Sequence, residues 1–307
     1  MRPLTCVIAA GMLAVAAVPA QAATAYGEAF DTLYRIDLDK HEATRVGEAG
    51  RYAGQLIGNI SGLTTLRDGS LYAAAGGFKL LVRIDADSGS ASVIGDFGLT
   101  GQGDPTRNDA LDLNMTSSCD DTLWLVSAVA NKIWTVNPAS GATTLVGPTR
   151  HTITGLVARG NTLYGAGGKG DNTFYRIDRD TGAATAIGPF GTDLQRWVNS
   201  VAMSFDDAGT LWAVINYIPP EHDTDPLADW SDLATIDPDT GHVHVIGPIT
   251  GPESLRQVGI KGFTTGSTQC IAGAVPAAAP AGSPLAFGVL AMLLVAAVAV
   301  HRRRRPA

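Results

Sequence analysis

Apolar and polar residues alternate in paired short segments that recur five times along the chain. One copy is "FYRIDRDTGAATAIGPF", in which "FYRID" and "ATAIG" alternate with a period of two and flank the turn "RDTG". Alternation on both sides of a Gly-containing turn is typical of a β-hairpin, with an Asp that accepts backbone hydrogen bonds and a left-handed Gly. The five copies begin at Leu33, Leu81, Ile133, Phe174 and Leu233.

A second pair of strands precedes each later hairpin. "TLYGAGGK" from Thr162 and "TLWAVINY" from Thr210 share a Leu followed by an aromatic residue, and "ITGL" from Ile153 precedes the first of them. The full unit therefore has four strands over about 40–59 residues, which is the repeat of a β-propeller blade. The sequence predicts an all-β, five-bladed β-propeller over residues 23–270.

The first copy lacks an innermost strand of its own. A matching segment, "IKGF" from Ile260 to Phe263, follows the last copy and aligns with "ITGL". We predict that this C-terminal strand completes the N-terminal blade, because that closure removes two open sheet edges. Six blades are the alternative, if the segment between Asn216 and Asp232 contains a further hairpin.

Both ends of the chain carry segments typical of export and membrane insertion. Residues 1–22 combine a basic start, an apolar run and an Ala-Gln-Ala site, which predict a cleaved signal peptide. Residues 271–283 are a Pro/Ala/Gly linker, and residues 284–301 predict a transmembrane helix whose apolar core spans about 24 Å. An arginine cluster in the tail, residues 302–307, predicts a cytoplasmic end and an extracytoplasmic propeller. Its members are Arg302, Arg303, Arg304 and Arg305.

The C-terminal segment also resembles a known class of sorting signal. A Pro-containing lead (Val275, Pro276), a short transmembrane helix and a terminal Arg cluster are similar to the tails of the PEP-CTERM and IPTL-CTERM families of bacterial surface proteins. The resemblance implies an exosortase-type processing enzyme as a partner. The protein would then be anchored in the cytoplasmic membrane, or released or sorted to the cell surface after tail processing.

The charge of the chain limits the classes of partner it can bind, and its cysteines bear on whether it contains a disulfide. The formal net charge is −7 and the only dense Arg run follows the membrane segment, which argues against a nucleic-acid partner. Cys6 belongs to the signal peptide, so Cys119 and Cys270 are the mature cysteines. In an oxidising compartment they are candidates for one disulfide, with two buried thiols as the alternative.

Candidate ligand residues lie on the face where one blade connects to the next. Asp112 and Asn199 are the polar residues that stand out near the propeller axis. The long segment after Asn216 adds acidic side chains, a histidine and a tryptophan, which suit a protein or carbohydrate ligand or a hard cation such as calcium, or form a solvated acidic loop. Its candidate residues are Glu221, His222, Asp223, Asp225 and Trp230. No segment supplies a complete calcium loop, zinc site or phosphate-binding loop.

The sequence therefore favours a binding or structural module at the bacterial cell envelope. The alternative is a propeller-type hydrolase or lactonase, with or without a metal ion, whose site lies at the channel mouth. A polar axial pocket with at least three converging carboxylate, Asn or His groups would favour the enzyme, and a flat or plugged face would favour the binding module. No nucleophile motif or catalytic constellation is visible in the sequence, and fold alone does not establish catalysis.

Overall fold

Antiparallel β-sheet makes up the body of the protein. A computed structural model describes residues 24–194, 196–217, 230–251, 259–266 and 270, and no α-helix occurs among them. These residues form five four-stranded sheets, a two-stranded hairpin and one short 3-10 helix at Pro105–Arg107. The predicted all-β, five-bladed β-propeller is confirmed.

The strands follow the chain blade by blade, from the inner strand at the axis to the outer strand. Blade 1 contains β1 (Thr24–Ala29), β2 (Thr32–Asp37), β3 (Glu42–Glu48) and, as its inner strand, β22 (Ile260–Thr264). The hairpin β4 (Arg51–Tyr52) and β5 (Gln55–Leu56) leads into blade 2, which contains β6 (Ile60–Thr65), β7 (Leu71–Ala75), β8 (Leu80–Ile84) and β9 (Ala91–Asp96). Blade 3 contains β10 (Leu113–Ser117), β11 (Leu123–Ser127), β12 (Lys132–Val136) and β13 (Thr143–Pro148). Blade 4 contains β14 (Gly155–Arg159), β15 (Thr162–Ala166), β16 (Thr173–Ile177) and β17 (Ala184–Pro189). Blade 5 contains β18 (Ser200–Phe205), β19 (Leu211–Asn216), β20 (Ser231–Ile236) and β21 (Val243–Pro248).

The outer hairpin of blades 1, 2, 4 and 5 turns at the repeated Asp motif, and Asn137 takes the place of the Asp in blade 3. In blade 4, Asp178 Oδ1 accepts hydrogen bonds from the backbone N–H groups of Asp180 (3.0 Å) and Thr181 (2.8 Å). Gly182 follows with φ +76°, in the left-handed region that only Gly enters without strain. The backbone and side-chain hydrogen bonds from Thr181 lower the pKa of Asp178. The motif is therefore a turn, in which the Asp oxygen is already used by the backbone.

The Gly that ends each of the first four repeats packs against the turn of the next blade. A Cβ atom on Gly95, in β9, would lie 1.9 Å from the carbonyl oxygen of Ser140 in the turn of blade 3. Gly47, Gly147 and Gly188 make the same approach to the turns of their neighbours, at 2.0–2.1 Å. The Gly of the repeat is thus required by blade-to-blade packing as well as by local sequence.

Apolar side chains fill the spaces between neighbouring blades. Phe174 of blade 4 and Phe205 of blade 5 belong to one buried cluster, and the Tyr164 ring stacks on Phe174 at 5.6 Å between ring centroids. A second cluster joins Leu81 of blade 2 to Trp134 of blade 3. The aromatic and aliphatic residues of the repeat therefore form inter-blade cores, which is why one blade alone would leave a face uncovered.

The C-terminal strand β22 closes the ring. It pairs antiparallel with β1, and Ile260 and Phe263 are almost fully buried in the cluster between blades 5 and 1. As an inner strand, β22 contacts both β18 of blade 5 and β6 of blade 2. The predicted closure is confirmed. The six-bladed alternative is wrong, because direct contact between β18 and β22 leaves no position for a sixth inner strand.

Cys119 and Cys270 meet on the face opposite the blade connections. Cys119 follows β10 and Cys270 follows β22, and their Cα atoms are 4.9 Å apart, with the Sγ atoms at bonding contact. A Cα separation of about 4.4–6.8 Å is usual for a disulfide. The geometry supports the proposed disulfide, which would close a loop spanning a sequence separation of 151 residues.

The predicted export and anchoring segments lie outside the described residues. They are the signal peptide (1–22), the linker (271–283), the transmembrane helix (284–301) and the arginine tail (302–307). Within the part of the chain that the structure describes, no helix has the length and apolar composition to cross a membrane.

Candidate functional site

The propeller axis opens into a polar cavity of about 240 Å³ at the end where each inner strand begins. One residue immediately precedes each inner strand, so that five such residues form a ring at this end. They are Asn59, Asp112, Thr154, Asn199 and Gly259. The first four line the cavity. The connections between blades thus place four polar side chains around the axis.

The inner strands themselves add a second layer of residues to the cavity wall. Residues two apart on a strand point to the same side, so the second residue of each inner strand faces the axis like the residue before the strand. Ser61 of β6, Asn114 of β10 and Lys261 of β22 occupy this position and line the cavity. Ser61 and Asn114 are more than nine-tenths buried. The two layers together make a site with polar walls inside an apolar propeller.

Asp112 is held by two cations that reach it from separate loops. The Arg107 guanidinium donates to both carboxylate oxygens, at 3.0 and 3.2 Å, and Lys169 Nζ makes a further ion pair with Oδ2. Burial acts to raise the pKa of Asp112, but the hydrogen bonds from Arg107 and Lys169 outweigh it and hold that pKa at about 2. Asp112 is therefore a charged anchor, poorly suited to accept a proton at neutral pH.

A network of hydrogen bonds fixes the β9–β10 loop that carries Arg107 and Asp112. Asp109 accepts hydrogen bonds from Lys79 Nζ and from the backbone N–H groups of Gly101 and Gly103, each at 2.7 Å. The hydrogen bond from Lys79 is the largest cause that lowers the pKa of Asp109 to about 2. The short helix that contains Arg107 is capped by Asp104, which accepts from the N–H of Thr106 at 2.9 Å.

Tight packing positions Lys169 at the cavity wall. The Lys169 N–H donates to the carbonyl of Val198 at 2.9 Å. A Cβ on the preceding Gly168 would lie 2.7 Å from the carbonyl oxygen of Asn199, so only Gly permits this approach. At the far end of the loop, the Tyr175 hydroxyl donates to Asp171 at 2.6 Å. The Gly-rich stretch from Gly165 therefore presents a lysine to the axis.

Three cavity residues adopt the left-handed backbone conformation. Their φ angles are +57° at Asn59, +47° at Asp112 and +55° at Lys169. Asn and Asp tolerate this region better than most residues, whereas Lys does not. Other loop residues of the described chain, such as Lys79 and Asn131, share this conformation, so it shows how tightly the loops at the axis are held and does not by itself identify a ligand site.

Lys261 is a largely buried cation with little compensation. Within the part of the chain that the structure describes, its Nζ makes one hydrogen bond, to Asn59 Oδ1 at a long 3.4 Å. Burial is the largest cause that lowers the pKa of Lys261; Asp112 opposes the shift, and Lys169 and Arg107 add to it. The described residues that line the cavity include three cationic side chains and one carboxylate, although the whole chain has a net charge of −7. The excess of positive charge is therefore a local property of the site.

One buried polar atom at the cavity is not used by the fold. Ser200 Oγ is buried, has no hydrogen-bond partner among the described residues and lines the cavity. The neighbouring Asn199 also lines the cavity, and its backbone N–H donates to the carbonyl of Asn216 at 2.9 Å. Buried polar atoms without a partner are rare in native proteins, so Ser200 Oγ indicates a ligand.

The residues at the axis do not suit calcium. Asn59, Asp112, Asn114 and Asn199 supply oxygen atoms of the kind that calcium binds. However, the single carboxylate already pairs with Arg107 and Lys169, and Lys261 adds a third positive charge. In the described part of the chain, no three His, Cys, Asp or Glu side chains are grouped to hold a metal ion.

The structure brings together two of the sequence-predicted site residues. Asp112 and Asn199 both line the axial cavity. Trp230 does not line it, and its carbonyl accepts a hydrogen bond from the Tyr217 N–H. The other candidates of the insertion lie outside the described residues: Glu221, His222, Asp223 and Asp225. Sequence reasoning missed Asn59, Arg107, Asn114, Lys169 and Lys261.

Comparisons with known proteins find similarity between this chain and solved structures, but none at the level of sequence families. No family model and no curated protein matches the sequence. A propeller in a nidogen–laminin complex is 14% identical with a TM-score of 0.48, over 80% of this chain and 99% of that one. A gluconolactonase from Xanthomonas campestris is 15% identical with a TM-score of 0.43, over 75% and 79%.

A protein of unknown function from Bacteroides thetaiotaomicron is also similar to this chain. It is 14% identical with a TM-score of 0.46, over 62% of this chain, and the match spans about half (53%) of that protein. At these identities and TM-scores, the solved structures carry no information about the ligand or the activity of this protein.

Proposed function

We propose that the protein is a secreted binding module of the bacterial cell envelope whose ligand site is the axial cavity. The C-terminal helix tethers it to the cytoplasmic membrane, or the tail is processed by an exosortase-type enzyme and the propeller is sorted to the surface. The observation that carries the binding role is the polar lining of the axial cavity, in which the buried Ser200 Oγ has no hydrogen-bond partner among the described residues and the Asn199 side chain lines the same wall.

A hydrolase or lactonase is the second candidate, because Asn59, Asp112, Asn114 and Asn199 converge on the cavity. The state of Asp112 weighs against it. A carboxylate with a pKa of about 2, paired with Arg107 and Lys169, is a weak base. We expect no acceleration of sugar-lactone hydrolysis; acceleration that is lost in Asp112→Asn would establish the hydrolase instead.

The binding role is tested by a thermal-shift screen of small sugars, sugar acids and organic acids against the wild type and Asn199→Leu. Leu keeps the size of Asn and removes the amide. A compound present at about 100 times its Kd stabilises the protein by about 2.7 kcal/mol, which raises Tm by roughly 5–10 °C in a domain of this size. We expect such a compound for the wild type and at most half of its effect in Asn199→Leu.

Asn161→Leu is the matched control. Asn161 is exposed between β14 and β15, on the face opposite the cavity, so the same substitution there should leave the shift unchanged. Hits that stabilise Asn199→Leu as strongly as the wild type would place the ligand elsewhere, and a screen without hits would argue for a purely structural module.

A further inference from the structure

We infer that the ligand of the axial cavity is a small organic anion that carries both a carboxylate and hydroxyl groups, with Lys261 as the residue that binds the carboxylate. The inference rests on the proposed binding function and adds the chemical class of the ligand. It is carried by the charge of the cavity, by the surroundings of Lys261 and by the neutral groups beside it.

The charge balance of the cavity favours an anionic ligand. Among the described residues, Arg107 and Lys169 both pair with Asp112, whereas Lys261 has only the 3.4 Å hydrogen bond to Asn59 Oδ1. A lysine ammonium has three donors, and a largely buried cation without a charged partner is costly. An incoming carboxylate supplies both the missing charge and charge-assisted hydrogen bonds, which are stronger than neutral ones.

The neutral groups of the cavity suit hydroxyls. The Asn199 amide offers both a donor and an acceptor, and Ser200 Oγ is buried without a partner. Asn114 accepts the Leu156 N–H through Oδ1 at 3.1 Å, which leaves its NH₂ group for the cavity. A ligand hydroxyl both donates and accepts, so it can satisfy groups of either kind.

The volume of the cavity limits the size of the ligand. Its 240 Å³ falls below the roughly 300–1,000 Å³ of pockets that take drug-sized molecules. A monosaccharide acid or a short hydroxy acid fits this limit, whereas a polymer can enter only through one terminal unit.

The test compares three probes by isothermal titration calorimetry on the full chain in detergent. D-Glucuronate has a carboxylate and hydroxyls, D-glucose lacks the carboxylate, and succinate lacks the hydroxyls. We expect D-glucuronate to bind at least tenfold more tightly than either of the others. Inorganic phosphate serves as a fourth probe and should compete at least tenfold less well than D-glucuronate.

Lys261→Met should weaken D-glucuronate binding at least tenfold, because Met keeps the apolar stem and removes the charge. The variant should melt at or above the wild-type temperature, since a largely buried charge is removed, so that lost binding is not lost folding. Lys40→Met is the control: Lys40 is exposed on the hairpin turn of blade 1, where it pairs with Asp37. Its effect on D-glucuronate binding should stay within twofold.

The outcomes separate this inference from the binding function itself. Equal affinity for D-glucose and D-glucuronate, both lost in Asn199→Leu, would overturn the anion assignment and leave the cavity as a ligand site. Equal affinity for succinate or phosphate would overturn the hydroxyl or the carboxylate requirement, respectively. Unchanged D-glucuronate binding in Lys261→Met would remove Lys261 from the site, and no binding of any probe would overturn the inference as a whole.

Discussion

A chain that ends at residue 258, before β22, is expected to lose cooperative folding. The truncation removes Ile260 and Phe263 from the core between blades 5 and 1, where they are 1% and 2% exposed. Burying each such side chain contributes roughly 1.5–3 kcal/mol, against a typical domain stability of about 5–15 kcal/mol. The loss also exposes β1 as an open edge and breaks the ring at β18 and β6. Differential scanning calorimetry and size-exclusion chromatography should show a broad or absent transition and self-association.

A chain that ends at Gly266 is the control, because it keeps β22 but lacks Cys270 and everything after it. It should retain one cooperative transition, although a lost disulfide across this long loop could lower the stability by up to about 5 kcal/mol. If the chain ending at residue 258 stays monomeric and melts at the same temperature as the chain ending at Gly266, closure by β22 does not hold the ring together.

The second large effect is a fall in stability with rising pH that depends on Glu28. Glu28 lies on β1 opposite Gly262 of β22, is fully buried, and neither of its carboxylate oxygens has a hydrogen-bond partner. Burial, with a smaller effect from the Asp31 carboxylate, raises the pKa of Glu28 from 4.5 to about 8. The folded state therefore holds a proton that the unfolded state releases above about pH 4.5.

The sign follows from that proton. The protonated Glu28 makes its full contribution to the free energy of unfolding below about pH 4.5. That contribution falls by about 1.4 kcal/mol per pH unit as the pH rises, and it is lost above about pH 8. The whole effect is on the order of 5 kcal/mol. Glu28→Gln is neutral at every pH, so we expect it to match the wild type near pH 4.5 and to be several kcal/mol more stable at pH 8.5.

Urea unfolding from pH 4.5 to 9 measures this difference directly. Glu42→Gln is the control, because Glu42 is exposed on β3 and its substitution should leave the pH profile parallel to that of the wild type. Parallel profiles for Glu28→Gln and the wild type would mean that Glu28 is not protonated in the folded state at neutral pH.

The fold could be predicted from the sequence because the features that determine it involve residues close together in the chain. Period-two alternation places Phe174 and Leu81 in the inter-blade cores, and the Asp and Gly of each turn, such as Asp178 and Gly182, adopt the geometry that their chemistry favours. The closing strand was predictable because "IKGF" repeats the pattern of the other inner strands. Each of these features depends on a few neighbouring residues, which is why the sequence pattern is sufficient to predict the fold.

The site depends on contacts that no local pattern contains. Asp112 and Asn199 were predictable as polar residues at the starts of inner strands. Arg107 and Lys169 reach the axis only because their loops are held by distant groups, Asp109 with Lys79 and Gly168 against Asn199. Lys261 did carry a signal: it is the second residue of "IKGF", at the axis-facing position that Ser61 and Asn114 occupy in their strands.

A crystal structure of the protein grown with D-glucuronate is the most direct test of the axial cavity as the ligand site. We expect density for one sugar acid at the axis, with its carboxylate at hydrogen-bond distance from Lys261 Nζ and a hydroxyl at the Asn199 amide or Ser200 Oγ. Density for the sugar acid on another surface, with only solvent between Lys261 and Asn199, would contradict the assignment of the axial cavity.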